Sequence, residues 1–257
     1  PNQYASSSLL ALVEDSDAGG SGFGDIAARY GGLASVAGVA ITKGSSTKSN
    51  LVMATIQSRD FFEHLSNIPE IYPFLVASKS YDASSKILEL DENIYNSKKM
   101  TWVNGKPSTL EAHLNFLSSM TLSKDKRTGF IYLAFQHISP EFAFKMAKTI
   151  ISEANNVIRQ EHLEESKKSI SYLNAAMINT LEIATKSSIT TLLDAQLKVQ
   201  MIANVRKEYV VRAIDKPYLP EWKAGPSRLK FIILSSILGF LISAFFAMYL
   251  HYFRGTK

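Results

Sequence analysis

Between Glu141 and Lys216 the chain runs for 76 residues without a glycine or a proline, and this run constrains the fold more than any other feature. Pro140 stands where a first helical turn tolerates proline. Ser139 precedes it as an N-cap, and Glu141 suits the positive end of the helix dipole. Breakers then arrive together at Pro217, Pro220, Gly225 and Pro226. The pattern predicts one helix over 140–216, on the order of 100 Å long at 1.5 Å per residue. A single small core needs no such length, so the expected shape is a strut that projects from a membrane or packs against copies of itself. A proline at Leu181 would interrupt that column at a cost of about 3 kcal/mol.

Polarity along the run is uneven. Phe142, Phe144, Met146, Ile150, Ile151 and Val157 offer a face to a sheet, whereas residues 159–171 are mostly polar. Leu173, Met177, Leu181 and Ala184 then recur at helical spacing, and Leu192, Leu193, Leu197, Met201, Ile202 and Val205 extend the stripe. Such a stripe fits ordinary core, a helix–helix seam or an oligomer contact better than a ligand site. Heptads are not sustained, so a long two-stranded coiled coil is not expected.

From Phe231 to Leu250 the sequence carries no charge. Its twenty residues match the roughly 20 needed to cross a hydrocarbon layer of about 30 Å. Arg228 and Lys230 precede it, and Tyr249, His251, Tyr252 and Arg254 follow, as interfacial anchors do. The run reads as a transmembrane helix; a fully buried helix in a large soluble core is the alternative. Charged residues at 20% and hydrophobic ones at 46% fit a folded body before it. The net charge of +5 gathers partly at Arg212, Lys216, Lys223, Arg228 and Lys230, which suits anionic headgroups. Nucleic-acid binding would need a stronger excess and an aromatic–basic motif, and is not expected. The absence of cysteine excludes disulfides and thiolate metal sites. The chain opens at Pro1 with neither a signal-peptide core nor an apolar span, and the expectation is a fragment lacking an N-terminal anchor.

The remaining pattern is mixed. A strand is expected near Ser8–Val13, a mobile loop at Asp15–Gly22, one or two short helices over Phe23–Ala40 and a loop at Thr42–Ser49. An amphipathic helix follows over Asn50–Asn67, with Leu51, Ile56, Phe61, Phe62 and Leu65 toward a core. Lys86–Tyr95 reads as a strand, and Ser108 with Glu111 forms a capping-box pattern ahead of a helix over Leu110–Met120. Thr121–Lys124 and Phe130–His137 flank a polar turn. The fold class is α+β. The organisation reads as a base over 1–139, a helical extension over 140–216 that returns to the base, a proline-rich approach over 217–230, the span 231–250 and a tail over 251–257.

Motifs for chemistry are missing from the sequence. His64, His113, His137, His162 and His251 form no metal-ligand pair at helical spacing and no HExxH. The glycine-rich stretches lack the Gly-Lys-Ser/Thr of a phosphate loop, and the serines lack a nucleophile elbow. Neither an enzyme nor a cofactor nor a metal site is expected.

Several segments together resemble the Wzz-type chain-length determinants, the bacterial polysaccharide co-polymerases. Gly32–Ile41 with Ala54–Phe62 resembles the N-terminal half of that family. Asp125–Pro140 followed by Phe142–Ala143 resembles its strand entering the long helix. Met201–Asp215 resembles the end of that helix, with Ala203 where many members carry glycine. Pro217, Pro220, Pro226 and Arg228 resemble its proline-rich approach to the second membrane helix. The resemblance implies an α/β base with a very long helix, anchored in the bacterial inner membrane with the main domain periplasmic and the termini cytoplasmic. It implies a homo-oligomer, without catalytic residues, that acts with a membrane polymerase on a lipid-linked polysaccharide such as O-antigen and sets its length. One departure is Gly239, a single glycine in the span where relatives show several, which weakens the case for close helix contact there. Another is the charge count across the span, which taken alone would put the main domain inside. The rival is a periplasmic adaptor-like strut of an export complex, which should show two helical arms flanking lipoyl-like and barrel strands.

Overall fold

The computed structural model describes residues 2–13, 45–225 and 235–243. It contains strands β1 (Gln3–Leu12), β2 (Ser78–Asp82), β3 (Ile87–Leu90), β4 (Tyr95–Asn96), β5 (Thr101–Trp102), β6 (Met120–Lys124), β7 (Ile131–His137), β8 (Val211–Asp215) and β9 (Lys223–Gly225). Its helices are α1 (Ser45–Gln57), α2 (Arg59–Ser66), α3 (Ile71–Val76), α4 (Thr109–Ser119), α5 (Pro140–Asn179) and α6 (Ile183–Val205), with a further helical stretch at residues 235–243. The fold mixes helix and sheet.

The main sheet is antiparallel and runs β6-β7-β1-β8, with β9 also on β1. The two segments β8 and β9 share one side of β1: β8 pairs along Leu9–Leu12 and β9 along Gln3–Tyr4. On its other side β1 pairs with β7 from Tyr4↔His137 to Leu10↔Ile131. Alternation then puts Ser6, Ser8 and Leu10 on one face with Ile131, Leu133, Phe135 and His137, all buried. The proximal part of α5 covers that face with Phe142, Met146, Ile150 and Ala154. On the opposite face Tyr132 and Ile214 are exposed. The β6–β7 turn needs its sequence: the Asp125 carboxylate accepts the N–H groups of Arg127 and Thr128, and Gly129 takes φ +75°, where glycine has no steric penalty.

Helices α1 to α4 close the other flank of the core. Phe62 meets Phe116 at 5.4 Å between ring centroids, and Phe116 meets Phe135 of β7 at 6.1 Å, which joins the helices to the sheet. Burying each such ring contributes about 1.5–3 kcal/mol. The helix expected over Asn50–Asn67 is divided. Ser58 is extended at φ −71°, ψ 157°, and its hydroxyl caps a new helix by accepting Phe61 N–H at 3.1 Å. Helix α1 begins at Ser45, inside the expected Thr42–Ser49 loop. Ser108 precedes α4 as expected but makes no side-chain capping bond.

The single helix expected over 140–216 is corrected. Helix α5 ends at Asn179, Thr180 and Glu182 are extended, and α6 runs back antiparallel along α5. After Val205 the chain leaves helix and enters the sheet as β8. Folding back provides apolar cover that a straight column would lack. Ile189, Ala195 and Ala203 are buried, and the Ser166 hydroxyl on α5 donates to Gln196 C=O on α6 at 2.9 Å. The break needs no glycine or proline because the Thr180 hydroxyl takes up the Ala176 carbonyl at 2.8 Å, one of the acceptors a helix end leaves open.

The expected span at 231–250 and its tail lie largely outside the described residues, as do the expectations for 14–44. Among the described residues, no helix is long and apolar enough to cross a membrane.

Candidate functional site: the helical hairpin and its two attachments

The feature that stands away from the core is the α5–α6 hairpin. Helix α5 has 40 residues, about 60 Å at 1.5 Å each. Its foot is fixed by a cap. The Ser139 hydroxyl accepts Phe142 N–H at 3.1 Å and donates to Glu141 Oε2 at 3.0 Å, with Pro140 in the first turn. Tyr81 donates to Glu141 Oε1 at 2.8 Å; burial, helped by that carboxylate, pushes its phenol up to about 12. His137 is buried beside this cap. Its Nε2–H donates to Phe74 C=O at 3.1 Å and its Nδ1 accepts Ser139 N–H at 3.1 Å, which fixes the neutral tautomer. Burial pulls its imidazole down to about 4. A serine, a histidine and a glutamate thus lie close together, but the hydroxyl is used by the cap and both ring nitrogens are committed to the main chain. The arrangement holds a helix and does not activate a nucleophile.

One side chain makes most of the bonds that attach the returning arm. Asn155, 4% exposed, accepts the N–H groups of Tyr209, Val210 and Val211 at 2.8–3.0 Å. It donates to Ile151 C=O and Val211 C=O at 3.1 and 3.0 Å. Two turns farther along α5, His162 Nδ1 lies 2.8 Å from the Tyr209 hydroxyl. These bonds deliver the chain into β8 beside β1.

Beyond the attachment the hairpin is bound to itself. Leu173 and Met177 are half-buried on α5. Leu181 sits in the bend and is 94% exposed, and Ala184 in the first turn of α6 is exposed. The structure therefore brings Leu173 and Met177 onto the hairpin's partly covered side and leaves Leu181 and Ala184 in the open. Tyr172, Ile178, Ile183, Met201 and Val205 are exposed as well.

The second attachment lies after β8. Two buried serines of β1 hold the chain: Ser6 donates to Tyr218 C=O at 2.7 Å and Ser8 to Asp215 C=O at 2.5 Å. Pro217 is half-buried and Pro220 buried on the body, and β9 then pairs with β1. Sequence reasoning missed these serines, although three consecutive serines inside an apolar strand were a usable signal. Pro226 and Arg228 lie outside the described residues. Gly239 falls in the helical stretch 235–243, where an added Cβ would meet nothing within 4 Å.

A groove of about 480 Å³ between the α2–α3 region and α5 includes Lys145, Lys148 and Glu153. Lys145 pairs with Glu70 at 2.6 Å and Glu153 with His64 at 2.7 Å. Among the described residues no group of three or more His, Cys, Asp or Glu is placed to hold a metal.

No family model matches this chain, and no curated protein matches it. Among solved structures, it is similar to one described as a fragment of WzzB, a polysaccharide co-polymerase from Salmonella Typhimurium. That similarity has 12% identity and a TM-score of 0.38, and covers 87% of this chain and 100% of that chain. A likeness at that level transfers no property to this chain.

Proposed function

We propose that this chain is a non-enzymatic, membrane-anchored polysaccharide co-polymerase of Wzz type, which assembles with copies of itself and sets the length of a lipid-linked surface polysaccharide, most simply O-antigen. The carrying observation is the helical hairpin, fastened to an antiparallel base at both feet and bearing exposed apolar residues along its arms. A monomer gains nothing from holding Tyr172, Ile178, Met201 and Val205 in water, whereas neighbouring protomers would bury them. The sequence resemblance supports the same reading. Of the segments that carry it, Asp125–Pro140 supplies β7 and the foot of α5, and Met201–Asp215 supplies the end of α6 and β8. Strands β7 and β8 are neighbours of β1 on its two sides. The body lies on the periplasmic side, Phe231–Leu250 crosses the inner membrane, and the partners are the polymerase and its lipid-linked product. The test is a deletion strain: surface polysaccharide should still be made, with a short-biased random ladder in place of a modal cluster. Complete loss of polymer would overturn the reading.

A second reading has one observation in its favour. Two antiparallel helical arms are what an adaptor-like strut of an export complex requires. Here the arms join strands β7 and β8 of one sheet, and no lipoyl-like or barrel strands flank them among the described residues. Loss of export with unchanged polymer length in the deletion strain would favour the adaptor.

A further inference from the structure

The segment between β8 and β9 combines two properties. It is rigidly held, by Ser6 to Tyr218 C=O, Ser8 to Asp215 C=O, the buried ring of Pro220 and the pairing of β9. Yet it turns three large side chains outward: Trp222 is 84% exposed, and Tyr218 and Leu219 are about half exposed. A loop that needed only to connect two strands would not hold a tryptophan in water, where its apolar area is unburied.

We infer that Tyr218, Leu219 and Trp222 form an interfacial anchor that lies in the headgroup layer of the bilayer and sets the body directly on the membrane. This rests on the proposal that Phe231–Leu250 spans the bilayer. The chemistry fits a lipid surface. Tyr and Trp combine an apolar ring with a polar tip and favour the membrane–water boundary, and Leu219 adds an aliphatic wedge. Lys216 and Lys223 bracket the segment with stems long enough to snorkel to phosphates. Glu221 and Asp215 offset much of their charge, so ring insertion rather than electrostatic attraction supplies the hold. The tether is short: from Gly225 to Phe231 are six steps, at most about 22 Å of extended chain. The patch is therefore never far from the point where the apolar run begins.

The test uses the full chain in phosphatidylcholine–phosphatidylglycerol vesicles, with flotation measured first. Trp222 emission is obtained as the difference between the unsubstituted chain and Trp222→Phe, which leaves Trp102 in place. The expected emission is blue-shifted, little affected by aqueous iodide, and mostly lost when the phosphatidylcholine is brominated near the top of its acyl chains. Tyr218→Ser with Leu219→Ser should move that emission toward the red without changing flotation. A floating chain whose Trp222 emits as in water and is quenched by iodide overturns the inference and leaves the spanning helix intact. A blue-shifted Trp222 untouched by bromolipid means that protein covers the patch, and overturns it equally. A chain that fails to float removes the spanning-helix reading itself, and this inference with it.

Discussion

The carboxamide of Asn155 and the main chain of Val211 exchange two hydrogen bonds of 3.0 Å, one in each direction, across 56 residues of sequence. The exchange joins the outgoing and returning arms of the hairpin directly at the sheet. The same oxygen also takes the N–H groups of Tyr209 and Val210, so one side chain satisfies three consecutive donors that neither helix nor ladder supplies.

Replacing Asn155 by Ala therefore orphans several main-chain groups in a buried place. The expected loss is about 2–4 kcal/mol, since each unsatisfied buried polar group costs about 1–3 kcal/mol and some would regain water. Asn155→Asp should be no rescue, because it loses both donated bonds and buries a charge. Urea denaturation measures the loss, and hydrogen exchange at Val211 should rise in step. A change within about 0.5 kcal/mol, the scale of a surface substitution, would show that Asn155 does not hold the arms together.

The serines of β1 act on the other attachment. Ser6→Ala and Ser8→Ala leave Tyr218 C=O and Asp215 C=O without their partners, at about 1–2 kcal/mol each. The double substitution should expose 216–222 to limited proteolysis while β6 and β7 stay protected. Unchanged cleavage would mean that Pro220 and β9 hold the segment unaided.

His137 makes stability depend on pH. Its imidazole titrates near 4 in the folded protein against 6.5 ordinarily, so between those values the unfolded chain binds the extra proton. Stability from this group is full above about pH 6.5, falls as the pH drops toward 4, and loses about 3 kcal/mol in all. His137→Gln should flatten the difference between denaturation profiles measured at pH 7 and pH 4.5. Parallel profiles for the two proteins would place the titration elsewhere.

Leu181→Pro separates the observed hairpin from a straight column. In a continuous helix it would cost about 3 kcal/mol. In the hairpin, Thr180 is already extended at φ −100°, ψ 128°, the backbone that a following proline favours, and the side chain is free in solvent. The expected cost is below about 1 kcal/mol, against about 3 kcal/mol or more for Leu173→Pro inside α5. Equal losses in thermal denaturation would restore the column.

These residues also mark what the sequence made legible. The Ser139–Pro140 start of α5, the hairpin β6–β7 and the core residues Ile56, Phe61, Phe62 and Leu65 follow from local rules of capping, alternation and periodicity, whereas Leu51, expected to face the core with them, is 61% exposed, because the break at Ser58 ends the single amphipathic period that linked it to Phe61 and Leu65. The bend at Thr180–Glu182 was hidden because its cause is not local. No breaker marks it, and it exists because α6 finds cover along α5. Asn155 was hidden for the same reason: an asparagine in mid-helix reads as a weak helix former until its partners, more than fifty residues away, are known. The division at Ser58 was readable in principle, since Ser58 stands three residues before Phe61 in an N-cap position, but the amphipathic period runs through it without a fault.

The exposed apolar residues of the arms carry the proposed function, and they can be altered without touching the fold. Ile178 and Ile183 flank the bend, while Met201 and Val205 lie at the end of α6 that returns to the sheet, all of them exposed. Surface substitutions away from caps and cores usually shift stability by within about 0.5 kcal/mol, so Ile178→Ser with Ile183→Ser, and separately Met201→Ser with Val205→Ser, should leave the melting of the chain nearly unchanged. If neighbouring protomers bury these side chains, each pair of changes removes apolar contact repeated at every interface of the assembly. The mass by light scattering in detergent should then fall toward the protomer, and a strain carrying the variant should make polymer of altered length at normal protein levels. A variant that stays assembled and yields the unaltered length distribution would show that the arms do not meet through this stripe. A chain that is monomeric before any substitution would remove the assembly from the proposal altogether.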